Sequence, residues 1–252
     1  MNTGMQSIGA YAFVTKNWKE LEYPLDLWLP WTASQFDQVS LVTYGDVEIP
    51  DIPDENARLK ITKMDEYPST KYFDFYLKGK TLAQIQLQTD WKVLLDIDEF
   101  MFRPNLGTAI SRYVYPLRYY NLYGSLEYRI KRKPYFATRQ YRIHCGTKQI
   151  TGDGANVLSS FGSHNNIAPR VWHVNATRNP EVMKEKWVTQ TRRELNEGYY
   201  ANLNRLKIMM ADGFHYDNYK KLFPGATLAK MNVNSMPKIL IDNKERFNRW
   251  KP

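Results

Sequence analysis

The feature that most constrains this chain is a short apolar run, Trp91-Lys92-Val93-Leu94-Leu95, that passes without a break into Asp96-Ile97-Asp98-Glu99. A run of this length, bounded by polar residues, reads as a buried strand whose end reaches solvent. The pattern recurs upstream. Ile8-Gly9-Ala10-Tyr11-Ala12-Phe13-Val14 stops at Thr15-Lys16-Asn17, and Val39-Ser40-Leu41-Val42-Thr43 stops at Tyr44-Gly45-Asp46. Between these two runs, Leu25, Trp28, Leu29 and Thr32 recur at helical spacing behind Pro24, a residue suited to a first helical turn, and Pro30 should kink or shorten the helix. A shorter strand is predicted over 58–62 and a helix over 81–88, with Leu82 and Ile85 on one face. Strands alternating with helices predict an α/β fold, with a mainly parallel central sheet covered on both faces. Ligands of such sheets bind beyond the carboxyl ends of the strands. Thr15, Asn17, Asp46, Asp96 and Asp98 should therefore share one edge.

Beyond Arg103-Pro104 the pattern changes to α+β. A tyrosine-rich stretch over 113–123 precedes strand-like alternation over 124–131 and 138–143. A glycine-rich turn at Thr151-Gly152-Asp153-Gly154 and a strand over 170–174 follow. Asn179-Pro180-Glu181 has an N-cap, a proline at the first helical position and an acid in the first turn, which predicts a helix running to Glu197 and stopping at Gly198. With no repeat or linker in view, residues 1–102 and 103–252 are expected to pack as one domain, the second half ending in a helical tail.

The 252 residues suffice for a sizeable core. Lys and Arg number 35 against 26 Asp and Glu, a net charge of +9 that points to an anionic partner: nucleic acid, an anionic membrane surface or a phosphorylated substrate. The one cysteine, Cys145, excludes an internal disulfide, a zinc knuckle and a Cys-x-x-Cys redox pair, and fits a reducing compartment. Neither a signal peptide nor an apolar run near the ~20 residues of a membrane span is read, so the expectation is a soluble, cytoplasmic protein. Phe247-Asn248-Arg249-Trp250 is amphipathic and basic, which allows peripheral contact with a membrane surface.

Asp96 and Asp98, at i and i+2 of an extended segment, would face the same side. Neighbouring carboxylates repel unless a cation lies between them, and a divalent ion bridging them to a diphosphate would resolve that repulsion. A solvated acidic loop, or caps for a following helix, explains the same residues. The third acid and the glycine of an EF-hand loop are missing. His173, inside an apolar strand, reads equally as a hydrogen-bonded core residue, and Asp153 as a hairpin-turn residue beside Gly154.

Four separated stretches resemble the glycosyltransferase family two superfamily, nucleotide-sugar-dependent enzymes of the GT-A fold. They are the opening strand with Thr15-Lys16-Asn17, the line from Trp91 to Phe100, Tyr141-Arg142-Ile143 followed by Gly152-Asp153-Gly154-Ala155, and the line from His173 through Arg178-Asn179-Pro180-Glu181-Val182-Met183 to Lys186. The resemblance implies a Rossmann-related three-layer sandwich with a donor-binding first half and an acceptor half. It further implies a metal-dependent, inverting, hexosyltransferase-like enzyme that moves a sugar from a nucleotide-diphosphate sugar to a hydroxyl of a glycan, a lipid-linked sugar or a protein. On this reading Asp96 and Asp98 hold the cation and the donor diphosphate, and His173 completes the metal shell. A carboxylate and imidazole set favours manganese over magnesium. Asp153 is the implied general base, with Glu99 able to do the same work. Thr15, Asn17 and Asp46 would take the nucleoside, although strand-terminating polarity explains them too. Lys78, Lys80, Arg178 and Lys186 become contacts for the leaving diphosphate, or solvated charges. Tyr119, Tyr120, Tyr123 and Trp172 could stack on acceptor rings, or simply pack the core.

Two other classes compete. A nucleotidyltransferase on a similar sheet needs a glycine-rich phosphate loop after the first strand, which Val14-Thr15-Lys16-Asn17 does not supply. A basic nucleic-acid-binding module should cluster its charges, whereas here they are interleaved with acids, so no nucleic acid is expected.

Overall fold

The computed structural model describes residues 6–15, 17–52, 58–64, 72–106, 114–131, 139–145, 169–198 and 203–250. Lys16 and the turn carrying Gly152, Asp153 and Gly154 lie outside them. The chain has a mixed α/β fold and forms two compact units. The first is Met1–Asn17, Pro24–Tyr119 and Arg139–Val171; the second is Trp18–Tyr23, Tyr120–Thr138 and Trp172–Pro252.

The first unit is built on parallel strands. β1 (Ile8–Thr15) lies between β2 (Gln38–Tyr44) and β4 (Trp91–Leu94), and β3 (Arg58–Met64) pairs with the outer side of β2, all in parallel. On the other side, β4 pairs antiparallel with β8 (Arg139–Cys145), which pairs antiparallel with the Val114–Arg118 part of β6 (Val114–Tyr123). Seven consecutive residues of β1, from Ile8 to Val14, are buried. Burial on both faces is the mark of a covered parallel sheet. Tyr11, Phe13, Val42, Phe75, Ala83, Leu87 and Leu94 form one core cluster between this sheet and α2 (Tyr72–Ile85).

Two helices differ from the sequence expectation. α1 (Leu25–Gln35) does not end at Pro30, because tertiary anchors outweigh the lost backbone bond. The indole N–H groups of Trp28 and Trp31 donate to the carbonyls of Glu99 and Met101, each at 2.9 Å. α2 begins at Tyr72, nine residues before the expected start, and ends at Ile85. It passes through Gly79, whose missing side chain lets the helix rest on β1. A Cβ there would lie 2.4 Å from Phe13 Cδ2. At the helix end, Lys60 Nζ and Lys92 Nζ donate to the carbonyls of Gln86, just past α2, and Gln84, in its last turn, at 2.9 and 3.1 Å. Burial pushes the Lys92 ammonium below its ordinary value.

In the second unit, the end of β6 pairs antiparallel with β7 (Ser125–Lys131), which pairs in turn with β10 (Thr227–Lys230). α3 (Pro180–Asn196) follows its sequence signals: the Asn179 side chain accepts the Glu181 N–H at 2.9 Å, and Gly198 takes the left-handed conformation (φ 74°) that ends the helix. The core holds Tyr123, Ile130, Met183, Met209, Phe214, Tyr219 and Ala226, with Trp187 and Trp250 packed against them. The Tyr123 ring is fully buried, and Trp250, Tyr219, Phe214 and Tyr216 lie 4.9, 5.5, 5.7 and 6.0 Å from it. Phe247 is buried as well, and the Trp250 N–H donates to the Arg178 carbonyl at 3.0 Å. The apolar side of the amphipathic tail is thus committed to packing inside this unit.

The loop Trp18–Tyr23 belongs to the second unit although it leaves and rejoins the first. Glu22 is the only non-glycine among the described residues with positive φ (52°), a conformation that costs roughly 1–3 kcal/mol. Its carboxylate pairs with Arg249 at 2.7 Å and accepts the Asn179 N–H at 2.9 Å. The Tyr23 ring lies beneath Arg178 at 3.6 Å and Lys186 at 4.9 Å. No described helix is long and apolar enough to cross a membrane.

Candidate active site

Parallel register decides which strand ends meet. Thr15 pairs with Tyr44, and Leu94 pairs with Tyr11, so β1, β2 and β4 all leave the sheet on the same edge of the first unit. Thr15, Asn17, Asp46 and the acidic segment from Asp96 follow those ends, as the strand pattern implied. The Thr15 hydroxyl donates to Asn17 Oδ1 at 2.5 Å. Asp46 sits on a turn that needs Gly45 at φ 74°, is almost wholly exposed, and pairs with Lys63 at 2.7 Å.

The acidic segment is a tight turn, not an extended continuation of β4. The Glu99 N–H donates to the Asp96 carbonyl at 2.9 Å, and the Asp96 N–H donates back to Glu99 Oε2 at 2.9 Å. This reciprocal pair closes the chain on itself, so the i, i+2 argument for Asp96 and Asp98 does not apply. Glu99 Oε2 also accepts from the Tyr119 hydroxyl at 3.3 Å, and the Glu99 carbonyl is the one that holds Trp28. Glu99 is 1% exposed and Asp98 2%. In this geometry Glu99 braces the turn.

Asp96 has a cation of its own. Lys80 Nζ lies 2.9 Å from Asp96 Oδ1, and the Tyr76 hydroxyl donates to the same oxygen at 3.3 Å. The Lys80 side chain is 4% exposed and that of Asp96 29%. The ammonium stands 4.1 Å from the centroid of the Tyr76 ring. Tyr76 and Lys80, four residues apart on α2, present one face to the turn. Lys78, by contrast, is exposed on the helix surface.

His173, half-buried on β9 (Arg170–Ala176), belongs to the second unit, where its Nδ1 lies 2.9 Å from Asn121 Oδ1. Facing a carbonyl oxygen, Nδ1 carries the proton in the neutral ring, and the lone pair is then on Nε2. Asp153 lies outside the described residues. Arg178 and Lys186 hold Tyr23, and the Lys186 ammonium also donates to Asn175 Oδ1 at 2.8 Å. Tyr119, Tyr120, Tyr123 and Trp172 are buried, which is the packing alternative for them.

Among the described residues no three His, Cys, Asp or Glu side chains stand together as a metal-holding group. Asp96 Oδ1 is paired with Lys80.

Sequence reasoning missed the Tyr76, Lys80 and Tyr119 contacts. The signal was the i, i+4 spacing of Tyr76 and Lys80, hidden because the helix was expected to start at residue 81.

No protein-family model and no curated protein matches the chain. Among solved structures, the crystal structure of S. aureus TarS 1-349 matches with 13% identity over 79% of this chain and 69% of that one, at a TM-score of 0.33. A second crystal structure of S. aureus TarS matches with 14% identity over 46% of this chain, at a TM-score of 0.28, and the match spans 22% of that chain. Likenesses this low leave the functional reading to the chain's own residues.

Proposed function

We propose that this chain is a glycosyltransferase moving a sugar from a nucleotide-diphosphate sugar to the hydroxyl of a glycan-type acceptor, with inversion at the anomeric carbon. The observation that supports it best is the closed, buried turn Asp96-Ile97-Asp98-Glu99 at the carboxyl edge of a parallel sheet, where ligands of such sheets bind. Thr15, Asn17 and Asp46 stand at the ends of the neighbouring strands for the nucleoside. Asp96, held by Lys80 and Tyr76, faces the donor as a fixed acceptor of hydrogen bonds.

In the proposed reaction the acceptor oxygen attacks the anomeric carbon while the bond from that carbon to the diphosphate oxygen breaks and its electron pair stays with the diphosphate. A carboxylate takes the acceptor's proton, the role we assign to Asp153, while Glu99 braces the turn. Chain cations offset the charge growing on the leaving diphosphate. A divalent cation, manganese or magnesium, held against the Asp96 and Asp98 carboxylates, would add to that compensation of charge.

Calorimetry with UDP and GDP, followed by turnover against a panel of nucleotide sugars, tests the reading. Asp96→Asn, which removes the carboxylate this reading sets against the donor, is expected to lower turnover at least about tenfold. Absence of nucleotide binding, together with salt-steep affinity for DNA or RNA, would replace the proposal with a nucleic-acid module.

A further inference from the structure

We infer that Lys80 is the resident counter-charge of Asp96: the chain supplies, from its own helix, the cation that the resemblance assigns to a metal at that carboxylate. The inference rests on the reading of this edge as the donor site. Lys80 is a positioning residue, acting through Asp96.

Three observations carry it. The ammonium is buried and 2.9 Å from Asp96 Oδ1, the oxygen that also accepts from Tyr76 at 3.3 Å. A buried ammonium is tolerated when paired and hydrogen-bonded, and the Tyr76 ring face at 4.1 Å adds to that. Second, the height of Lys80 over the turn is set by its neighbour Gly79, which rests on the ring of Phe13 with no room for a Cβ. The lysine is therefore delivered by a packed helix and not by a loose surface chain. Third, the described residues contain no group of three metal-ligating side chains. A divalent ion approaching Asp96 would meet an ammonium already bonded to Oδ1, and like-charge repulsion with it. The carboxylates of the turn are thus arranged before any metal or donor arrives.

The test is a titration of Mn2+ alone into the full chain, with free Mn2+ followed by electron paramagnetic resonance. Lys80→Met removes a positive charge beside Asp96 and is expected to bind Mn2+ at least about tenfold more tightly than the wild type. Lys80→Arg, which keeps the charge, is expected to restore the weak binding. A Lys80→Met protein that binds no more tightly overturns the inference. A second readout uses the wild type alone: the 15N signal of the Lys80 ammonium, assigned by its loss in Lys80→Arg, is expected to stay unmoved in excess Mg2+. Its displacement by Mg2+ overturns the inference even if Lys80→Met does not fold. Failure of UDP and GDP binding would end the transferase reading while leaving the Mn2+ result to stand for itself.

Discussion

Tyr123 is the sharpest place to perturb the second unit. Its ring is fully buried among Phe214, Tyr216, Tyr219 and Trp250, yet among the described residues its hydroxyl meets no hydrogen-bonding partner. An orphaned buried polar group costs about 1–3 kcal/mol. Tyr123→Phe removes that group and keeps every ring contact. The space left by one oxygen, roughly 10 Å³, returns a penalty of only about 0.2 kcal/mol at ~24 cal/mol per Å³. The net expectation is a gain of about 1 kcal/mol or more, read as a rise in Tm of about 2–4 °C for a chain of this size. Alkaline pH gives a second arm. Burial, reinforced by Tyr219, Tyr216 and Asp217, pushes the Tyr123 phenol far above its ordinary value. A folded-state pKa above the unfolded one contributes stability that is fully present below the unfolded value, about 10, and is lost as pH rises beyond it. The wild type should therefore lose up to ~1.4 kcal/mol per pH unit from this group above pH ~10, a slope absent from Tyr123→Phe. Urea and thermal melts of both proteins across pH 7–11 measure the two effects. A Tyr123→Phe protein less stable than wild type at neutral pH would refute the reasoning, since the hydroxyl would then be making a bond worth keeping.

Two further expectations test the first unit. Gly79→Ala places a methyl group 2.4 Å from Phe13 Cδ2, and overpacking of about 1–3 kcal/mol should exceed the ~1 kcal/mol that alanine contributes to helix propensity; an unchanged urea midpoint would show that α2 is not seated on β1. Asp37 accepts the Ile8 N–H at 2.7 Å and pairs with Arg103 at 2.8 Å, and although burial opposes its charge, the Arg103 and Ile8 hydrogen bonds hold its pKa below 3.8. That stabilisation is present above pH ~4 and lost as pH falls through the folded-state value, so Asp37→Asn should cost about 0.5–1 kcal/mol at pH 7, after discounting for solvent screening, and nothing near pH 2; an equal cost at both pH values would be the contrary result.

Where local chemistry decides structure, the sequence was readable. Asn179, Pro180 and Gly198 announced α3 at both ends, and the apolar runs ending in polar residues marked β1, β2 and β4 and the edge they share. What stayed hidden depends on partners distant in the chain. α2 extends back to Tyr72 because Phe75 and Gly79 pack on β1, and no cap or periodicity in residues 72–80 shows where β1 lies. The apolar run predicts an extended Asp96–Glu99 segment, since nothing in its composition reveals that Glu99 folds back on the Asp96 N–H. The Lys80 ion pair follows from both of these. Without the early helix and the closed turn, a lysine 16 positions from an aspartate suggests nothing.

The bond between Glu22 and Arg249 joins residues 227 positions apart, and the strained loop it secures comes early in the chain. On a ribosome that loop emerges 227 residues ahead of its Arg249 partner, so this pair cannot form until that much more of the chain has followed. Strands β1, β2 and β4, between residues 8 and 94, pair without waiting for it. Synthesis therefore imposes an order on assembly, with the Glu22 loop left without this anchor until the Arg249 guanidinium arrives.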